Sequence, residues 1–258
     1  MSYLDQLFNL EGKVAAVTGG GGMLCGEMAR AFGKAGCQVA IMDSRLEKAE
    51  RVASQIREAG GKAIALEHQA LSKESFQNSL DQILQSFGHC DILINGAGIN
   101  APTPLMEINE TEWDEIIGVH LKGTLFGCQV FGKHMLRRGS GSILNLSSAS
   151  SGPPLSKAFT YSVAKAGIKN LTQNIAREWG TSGVRVNSIK PGFFPTQWSI
   201  DNFITEERQA AIWGHTRMKR YGKVEELVGA VLWVNSDAAS FVTGSEIAVD
   251  GGFSCMTI

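Results

Sequence analysis

No Cys-x-x-Cys pair occurs in this chain of 258 residues, and its five cysteines (Cys25, Cys37, Cys90, Cys128, Cys255) are odd in number and scattered. That pattern speaks against a disulfide framework and a thiolate zinc site, so no metal is expected and a reducing cytoplasm fits. Long apolar runs are missing too: none approaches the ~20 residues a membrane span needs. The opening Met1-Ser-Tyr-Leu-Asp-Gln-Leu-Phe-Asn-Leu-Glu has acids and no basic, apolar leader, so it does not read as a secretory signal. Charge of one sign is also lacking. Twenty-four Lys+Arg stand against 25 Asp+Glu, a net of -1, which argues against nucleic acid or an anionic membrane as partner. No linker, repeat or low-complexity segment appears, so one domain over 1–258 is expected.

What the chain does contain is a regular alternation. Hydrophobic residues make up 43% and charged ones 19%, as in ordinary globular proteins. Short apolar runs predict strands at Val14 to Thr18, Val39 to Met42, Ala63 to Leu66, Asp91 to Asn95, Ser142 to Leu146, Val184 to Ile189 and Glu246 to Val249. Helical spacing fills the intervals: Met23 to Ala35, Arg45 to Ala59, Lys73 to Phe87, Glu110 to Arg138, Tyr161 to Trp179 and Glu225 to Leu232. Gly192 to Thr216 is less periodic. The alternation predicts an α/β fold, a single-domain Rossmann-like doubly wound parallel sheet of about seven strands with helices on both faces.

Two motifs carry chemistry. Thr18-Gly19-Gly20-Gly21-Gly22-Met23-Leu24 links the first strand to the first long helix, where glycines let backbone N–H groups approach a pyrophosphate at the helix N-terminus. The plainer reading is a flexible tight turn. Asp43, 25 residues after Thr18, ends the second strand. A carboxylate there accepts hydrogen bonds from ribose hydroxyls and repels a 2′-phosphate, which favours NAD over NADP. Arg45 nearby weakens that preference, and Asp43 could instead cap the next helix. The second motif is Tyr161-Ser-Val-Ala-Lys165, with Ser148 thirteen positions upstream. Residues four apart share a helix face. A phenol with pKa near ~10 is a poor base until a neighbouring ammonium favours its ionised form. The pair can then act as general acid and base while a serine hydroxyl holds the reacting oxygen. Alone, this spacing also occurs on solvated helix faces.

With these pieces in order, the chain resembles the short-chain dehydrogenase/reductase family over nearly its whole length. The matching segments are Thr18-Gly19 with its glycine run, Asn95-Gly96-Ala97-Gly98, Ser148, Tyr161-x-x-x-Lys165, Asn187, Pro191-Gly192, Thr196 and Val249-Asp250-Gly251-Gly252. The resemblance implies that Tyr161 is the general acid/base, that Lys165 holds the nicotinamide ribose and depresses the tyrosine pKa, and that Ser148 binds the substrate oxygen. It implies cofactor contacts from Gly19, Gly21, Gly22, Met23, Leu24, Asp43, Gln69, Asn95, Ala97 and Gly98, from Tyr161 and Lys165, and from Pro191, Phe194 and Thr196 on the nicotinamide side. Three departures stand out. Met23 and Cys25 occupy positions where the family has glycines, Gln69 replaces an aspartate that meets adenine, and His120 replaces an asparagine of the proton relay. His120 either joins that relay, adding a pH dependence of its own, or is a buried histidine bonded to backbone.

Substrate specificity is expected in loops at the carboxyl ends of the strands. These are Ile99 to Thr103, Ala149 to Ala158 and a segment at about 193–218, with Asn100, Ser150, Phe193 and Trp198 as candidate contacts. The mixture of aromatic and polar residues suits a polyhydroxylated small molecule, and Lys157, Lys190, Arg208 or Arg217 could pair with a carboxylate. The same aromatics would equally serve a lid core or subunit contacts. A narrower resemblance, carried by Pro191-Gly-Phe-Phe-Pro195, His215-Thr216 and Val249-Asp-Gly-Gly-Phe253, is to the branch described as hexuronate/hexonate (mannonate-type) oxidoreductases. It implies hydride transfer between the nicotinamide of NAD(P), with NADP the less expected, and a secondary alcohol or ketone of a sugar acid or polyol. The alternatives are a 3-oxoacyl-carrier-protein reductase and a catalytically silent NAD-binding module. The family resemblance further implies a homotetramer built on the helices at Glu110 to Arg138 and Tyr161 to Trp179.

Overall fold

The computed structural model describes residues 2–153, 155–196, 200 and 204–256. Seven strands form one parallel sheet: β1 (Val14–Thr18), β2 (Gln38–Asp43), β3 (Lys62–Glu67), β4 (Ile92–Asn95), β5 (Gly141–Leu146), β6 (Val184–Pro191) and β7 (Glu246–Val249). Their order is β3-β2-β1-β4-β5-β6-β7. The order reverses between β1 and β4, so the helices after these strands diverge and leave a crevice at the carboxyl ends. Every predicted strand is present within a residue or two of its expected limits.

β1 shows why such short runs suffice. All five of its residues are buried, because a parallel strand is covered on both faces. Ala15 and Val17 face one core with Met28 and Phe32 of α2 (Met23–Lys34), Ile56 of α3 (Leu46–Glu58) and Val231. Val14 and Ala16 face the other, with Phe76 and Ile83 of α4 (Lys73–Phe87) and Phe131. Helix ends follow local chemistry. Ser72 caps α4 by accepting from Ser75 N at 3.1 Å, and Gly88 ends it with a left-handed φ of 83°.

The predicted helix from Glu110 to Arg138 is not continuous. It comprises α5 (Glu110–Ile117), a π-wound turn at Gly118–Lys122, and α6 (Gly123–Arg138). The widened turn carries His120, and such turns gather at functional sites. Beyond it lie α7 (Phe159–Trp179), α8 (Glu206–His215) and α9 (Val228–Asn235). A short N-terminal helix, α1 (Tyr3–Leu7), had no signal in the apolar spacing and buries none of its residues.

Candidate active site

A cleft of about 630 Å³ opens at the reversal point, and both sequence motifs border it. Its floor is fixed by Thr18, whose Oγ1 accepts from Gly96 N at 2.9 Å and Ala97 N at 3.2 Å, tying β1 to the loop after β4. Gly19 takes φ 64°, and a Cβ there would lie 2.9 Å from Ala97 Cα. The two loops meet this closely because neither side chain intervenes. Gly22 stands at the N-cap of α2 without a side-chain cap, and Met23 and Leu24 line the cleft beside it. This end therefore offers backbone donors and a helix dipole to an anion.

At the end of β2, Asp43 accepts from Gly21 N at 3.0 Å and from Arg45 N at 3.1 Å. It shapes the glycine turn and also lines the cleft. Gly21 itself works through this bond and is not among the lining residues. Gln69 lies on the cleft wall. His68, beside it, was missed: it is buried, its Nδ1 lies 3.1 Å from Ser79 Oγ, and its Nε2 has no partner among the described residues. Burial pushes its pKa down to about 4. The one available signal was its position directly after β3.

Asn95 departs from expectation. Its side chain turns into the core, donating to Asn145 Oδ1 at 2.9 Å and lying 3.6 Å from Cys128 Sγ. Asn145 in turn donates to Thr172 Oγ1 at 3.0 Å. The clasp locks β4 to β5 and α7, so Asn95 supports the floor, and Gly96, Ala97, Gly98 and Asn100 line the cleft instead.

The reacting groups come from β5, α7 and the π turn. Ser148 follows β5 and caps a one-turn 3₁₀ helix, Ala149–Ser151. Tyr161 sits in the first turn of α7, facing Ser148 closely enough for that hydroxyl to favour the ionised phenol. Burial pushes the Tyr161 phenol up, and the Ser148 bond opposes this. Lys165 lies one turn on, fully enclosed, with Nζ donating to Leu146 O at 2.6 Å and standing 5.4 Å from the tyrosine ring centroid. Burial pushes its pKa down to about 8, against an opposing pull from the Cys25 thiol. The expected depression of the tyrosine pKa by Lys165 does not arise in the protein alone: burial raises it, and Ser148 is the group that opposes burial.

His120 packs edge-on to Tyr161, with ring centroids 5.1 Å apart. Its Nε2 lies 2.6 Å from Ile99 O and 3.2 Å from Ile99 N, and its Nδ1 is buried without a partner among the described residues. Burial and the nearby Lys165 ammonium push its pKa down to about 3. The ring is neutral at physiological pH, so the expected histidine titration in the neutral range does not arise. A Cβ on Gly98 would lie 2.2 Å from His120 Cε1, so the glycine makes room for the ring.

Some expected contacts lie elsewhere. Ser150 is buried behind Ser148, giving its N–H and its Oγ–H to Ser148 Oγ at 3.2 and 3.1 Å. Phe193 packs on Phe253 at 5.3 Å between centroids, and with Phe194 it lines a separate cavity of about 370 Å³. Pro191 does border the main cleft, whereas Thr196, whose carbonyl accepts from Ile200 N at 3.0 Å, is not among its lining residues. Trp198 lies outside the described residues. No group of three or more potential metal ligands occurs among the described residues.

Fold and site together define an α/β oxidoreductase with a dinucleotide-type cleft. The family model described as enoyl-(acyl carrier protein) reductase matches residues 24–254. The uncharacterized oxidoreductase UxuB of Bacillus subtilis (strain 168) is 40% identical over 266 residues, with 95% of this chain and 96% of that protein covered. A solved structure from Haemophilus influenzae, described as a candidate D-mannonate oxidoreductase with bound NAD, superposes with TM-score 0.90 at 34% identity, covering 96% of this chain and 97% of that one. A gluconate 5-dehydrogenase from Burkholderia cenocepacia J2315, in complex with NADP and tartrate, superposes with TM-score 0.93 at 29% identity, covering 99% of this chain and all of that one. The chain belongs to the short-chain dehydrogenase/reductase family. It is an enzyme acting on CH–OH groups.

Proposed function

We propose that this protein is an NAD-dependent oxidoreductase acting on a secondary alcohol or ketone of a sugar acid or polyol, with Tyr161 as general acid/base. The observation that carries this reading is the convergence of Tyr161, Ser148 and Lys165 at the inner end of the cleft that holds the glycine turn and Asp43. The residues fit a dinucleotide: an uncapped helix N-terminus for the pyrophosphate, an aspartate for the adenosine ribose, and a close glycine approach between the loops. Held there, a nicotinamide cofactor would supply the hydride acceptor for the carbinol carbon.

The chain's own groups do the rest. Ser148 Oγ hydrogen-bonds the substrate oxygen and aligns it with the tyrosine. Tyr161 Oη removes the hydroxyl proton during oxidation and returns it during reduction. Lys165 supplies positive charge beside the phenol and ribose. His120, with Nε2 committed to Ile99, acts as a neutral clamp on the loop that carries Asn100, and its unpartnered Nδ1 is the atom left for a relay. NAD is favoured because Asp43 places a carboxylate where a 2′-phosphate would lie.

The gluconate- and mannonate-related names among the relatives support a sugar acid. An exposed apolar surface of Leu105, Trp113, Phe159 and Val163, on and beside α5 and α7, supports self-association as a tetramer. A cytoplasmic setting is part of the same reading. The test follows nicotinamide absorbance with the purified protein. Hexonates, aldonates and polyols are offered with NAD and NADP, and hexuronates and 3-oxoacyl thioesters with the reduced cofactors. NAD-linked turnover of a sugar acid is the expected result; reduction of the thioester alone with NADPH overturns the substrate and cofactor together.

A further inference from the structure

Behind the reaction centre lies a carboxylate that the chemistry above does not use. Glu246 opens β7 opposite Ser188 of β6, and its side chain is only 10% exposed. One oxygen accepts from Ser147 Oγ at 2.7 Å and from Ser151 Oγ at 2.9 Å. The other faces Lys190 Nζ at 3.5 Å and Lys169 Nζ at 3.6 Å. Ser147 immediately precedes Ser148, and Ser151 closes the turn that Ser148 caps. A single 3₁₀ turn has poor hydrogen-bond geometry of its own and needs outside support. A buried carboxylate persists where donors and cations compensate its desolvation, and here two hydroxyls and two ammonium groups do so.

We propose that Glu246 is a positioning residue, tethering both ends of the Ser148–Ser151 turn from the edge strand so that the Ser148 hydroxyl meets the Tyr161 phenol. Lys190 and Lys169 balance the carboxylate, so the tether adds little negative charge beside the tyrosine. This inference rests on the assignment of Ser148 and Tyr161 above.

The test compares Glu246→Ala, Glu246→Gln, Ser151→Ala and Ser148→Ala. One readout needs no substrate. The chain has three tyrosines, Tyr3, Tyr161 and Tyr221, so the alkaline tyrosinate step of Tyr161 is isolated by difference against Tyr161→Phe. Glu246→Ala should move that step upward, as Ser148→Ala does, because the Ser148 bond favours the ionised phenol. In NAD-linked oxidation of a hexonate, Glu246→Ala should lower kcat about tenfold to a hundredfold, the cost of a small misplacement, with NAD affinity unchanged within about twofold. Glu246→Gln keeps an acceptor for the hydroxyls and should recover most of the loss. Glu246→Ala should add nothing in a Ser148→Ala background, as expected of a group acting through that serine. A tyrosinate step and kcat that stay put in Glu246→Ala while Ser148→Ala moves both would overturn this inference alone. If Ser148→Ala also moves neither, the site reading falls with it. Should Glu246→Ala not fold, Ser151→Ala takes its place, with a smaller shift supporting the tether and wild-type behaviour overturning it.

Discussion

On the β1 side of the cleft the glycine turn presents backbone, whereas on the β5–β6 side the working groups are side chains. The first side depends on what is left out: a Cβ at Gly19 or Gly96 would strike Ala97 or the Cys25 thiol. The second depends on what is buried and kept polar, namely Tyr161, Lys165, His120 and the serines around Ser148. A dinucleotide is bound by shape and amide donors, so that half tolerates the unusual Met23 and Cys25 as long as the turn keeps its path. Proton transfer needs particular atoms at particular distances, so the other half tolerates little.

The sharpest way to break this contrast is Tyr161→Phe. Loss of the phenolic oxygen removes the proton-transfer group, and kcat should fall by about 10²- to 10⁴-fold, the usual contribution of general acid–base catalysis. NAD titration should give the affinity of the parent protein, because the glycine turn and Asp43 lie on the other side. Retained turnover would remove Tyr161 from the mechanism; lost NAD binding would show that the two halves are not separable.

The parts legible in the sequence were those with local causes. Strand–helix alternation, the glycine turn, Asp43 at the end of β2 and the Tyr161–Lys165 spacing each follow from a few neighbouring residues. What the sequence did not disclose depends on partners far along the chain. Whether Asn95 faces cleft or core is decided by Asn145 and Cys128, up to 50 residues away. Phe193 and Phe194 sit beside the cleft's end, yet Phe253 and the Gly222 backbone draw them into a second cavity. The π turn at His120 interrupts a pattern whose apolar spacing reads as one helix. His68 has no motif at all.

A second comparison tests the nucleotide side by itself. Asp43→Asn removes the charge that opposes a 2′-phosphate; its single amide oxygen can accept from one of the Gly21 and Arg45 amides, which reach different carboxylate oxygens in the parent. Hydrogen bonds to a charged group are worth about 1.5–3 kcal/mol, so the ratio of kcat/KM with NAD to that with NADP should fall about tenfold to 150-fold. Most of the change should lie in KM, since no reacting atom moves. An unaltered ratio would mean that Asp43 serves only to shape the turn, and that Arg45 and Lys48 govern the choice of cofactor.

The smallest effect concerns the polar burial that sets the reaction side apart. His120 has a folded pKa pushed down to about 3 by burial and by Lys165, with its bond to Ile99 O opposing. The unfolded chain would titrate near ~6.5, so it takes up a proton that the folded protein refuses. Stability from the neutral ring is therefore complete above the unfolded value and drains away as pH falls toward the folded one, at about 1.4 kcal/mol per pH unit for one histidine. His68, held down to about 4, adds a parallel loss. His120→Asn should lower stability at neutral pH, because the clamp on Ile99 is weakened. It should also flatten the acid slope by about one proton between pH 6 and 4, leaving the His68 share. Urea unfolding across that range measures the slope directly. A slope that stays unchanged would mean that His120 takes up its proton in the folded protein as readily as in the unfolded chain. The ring would then be free to titrate beside Tyr161, and the relay rather than the clamp would describe it.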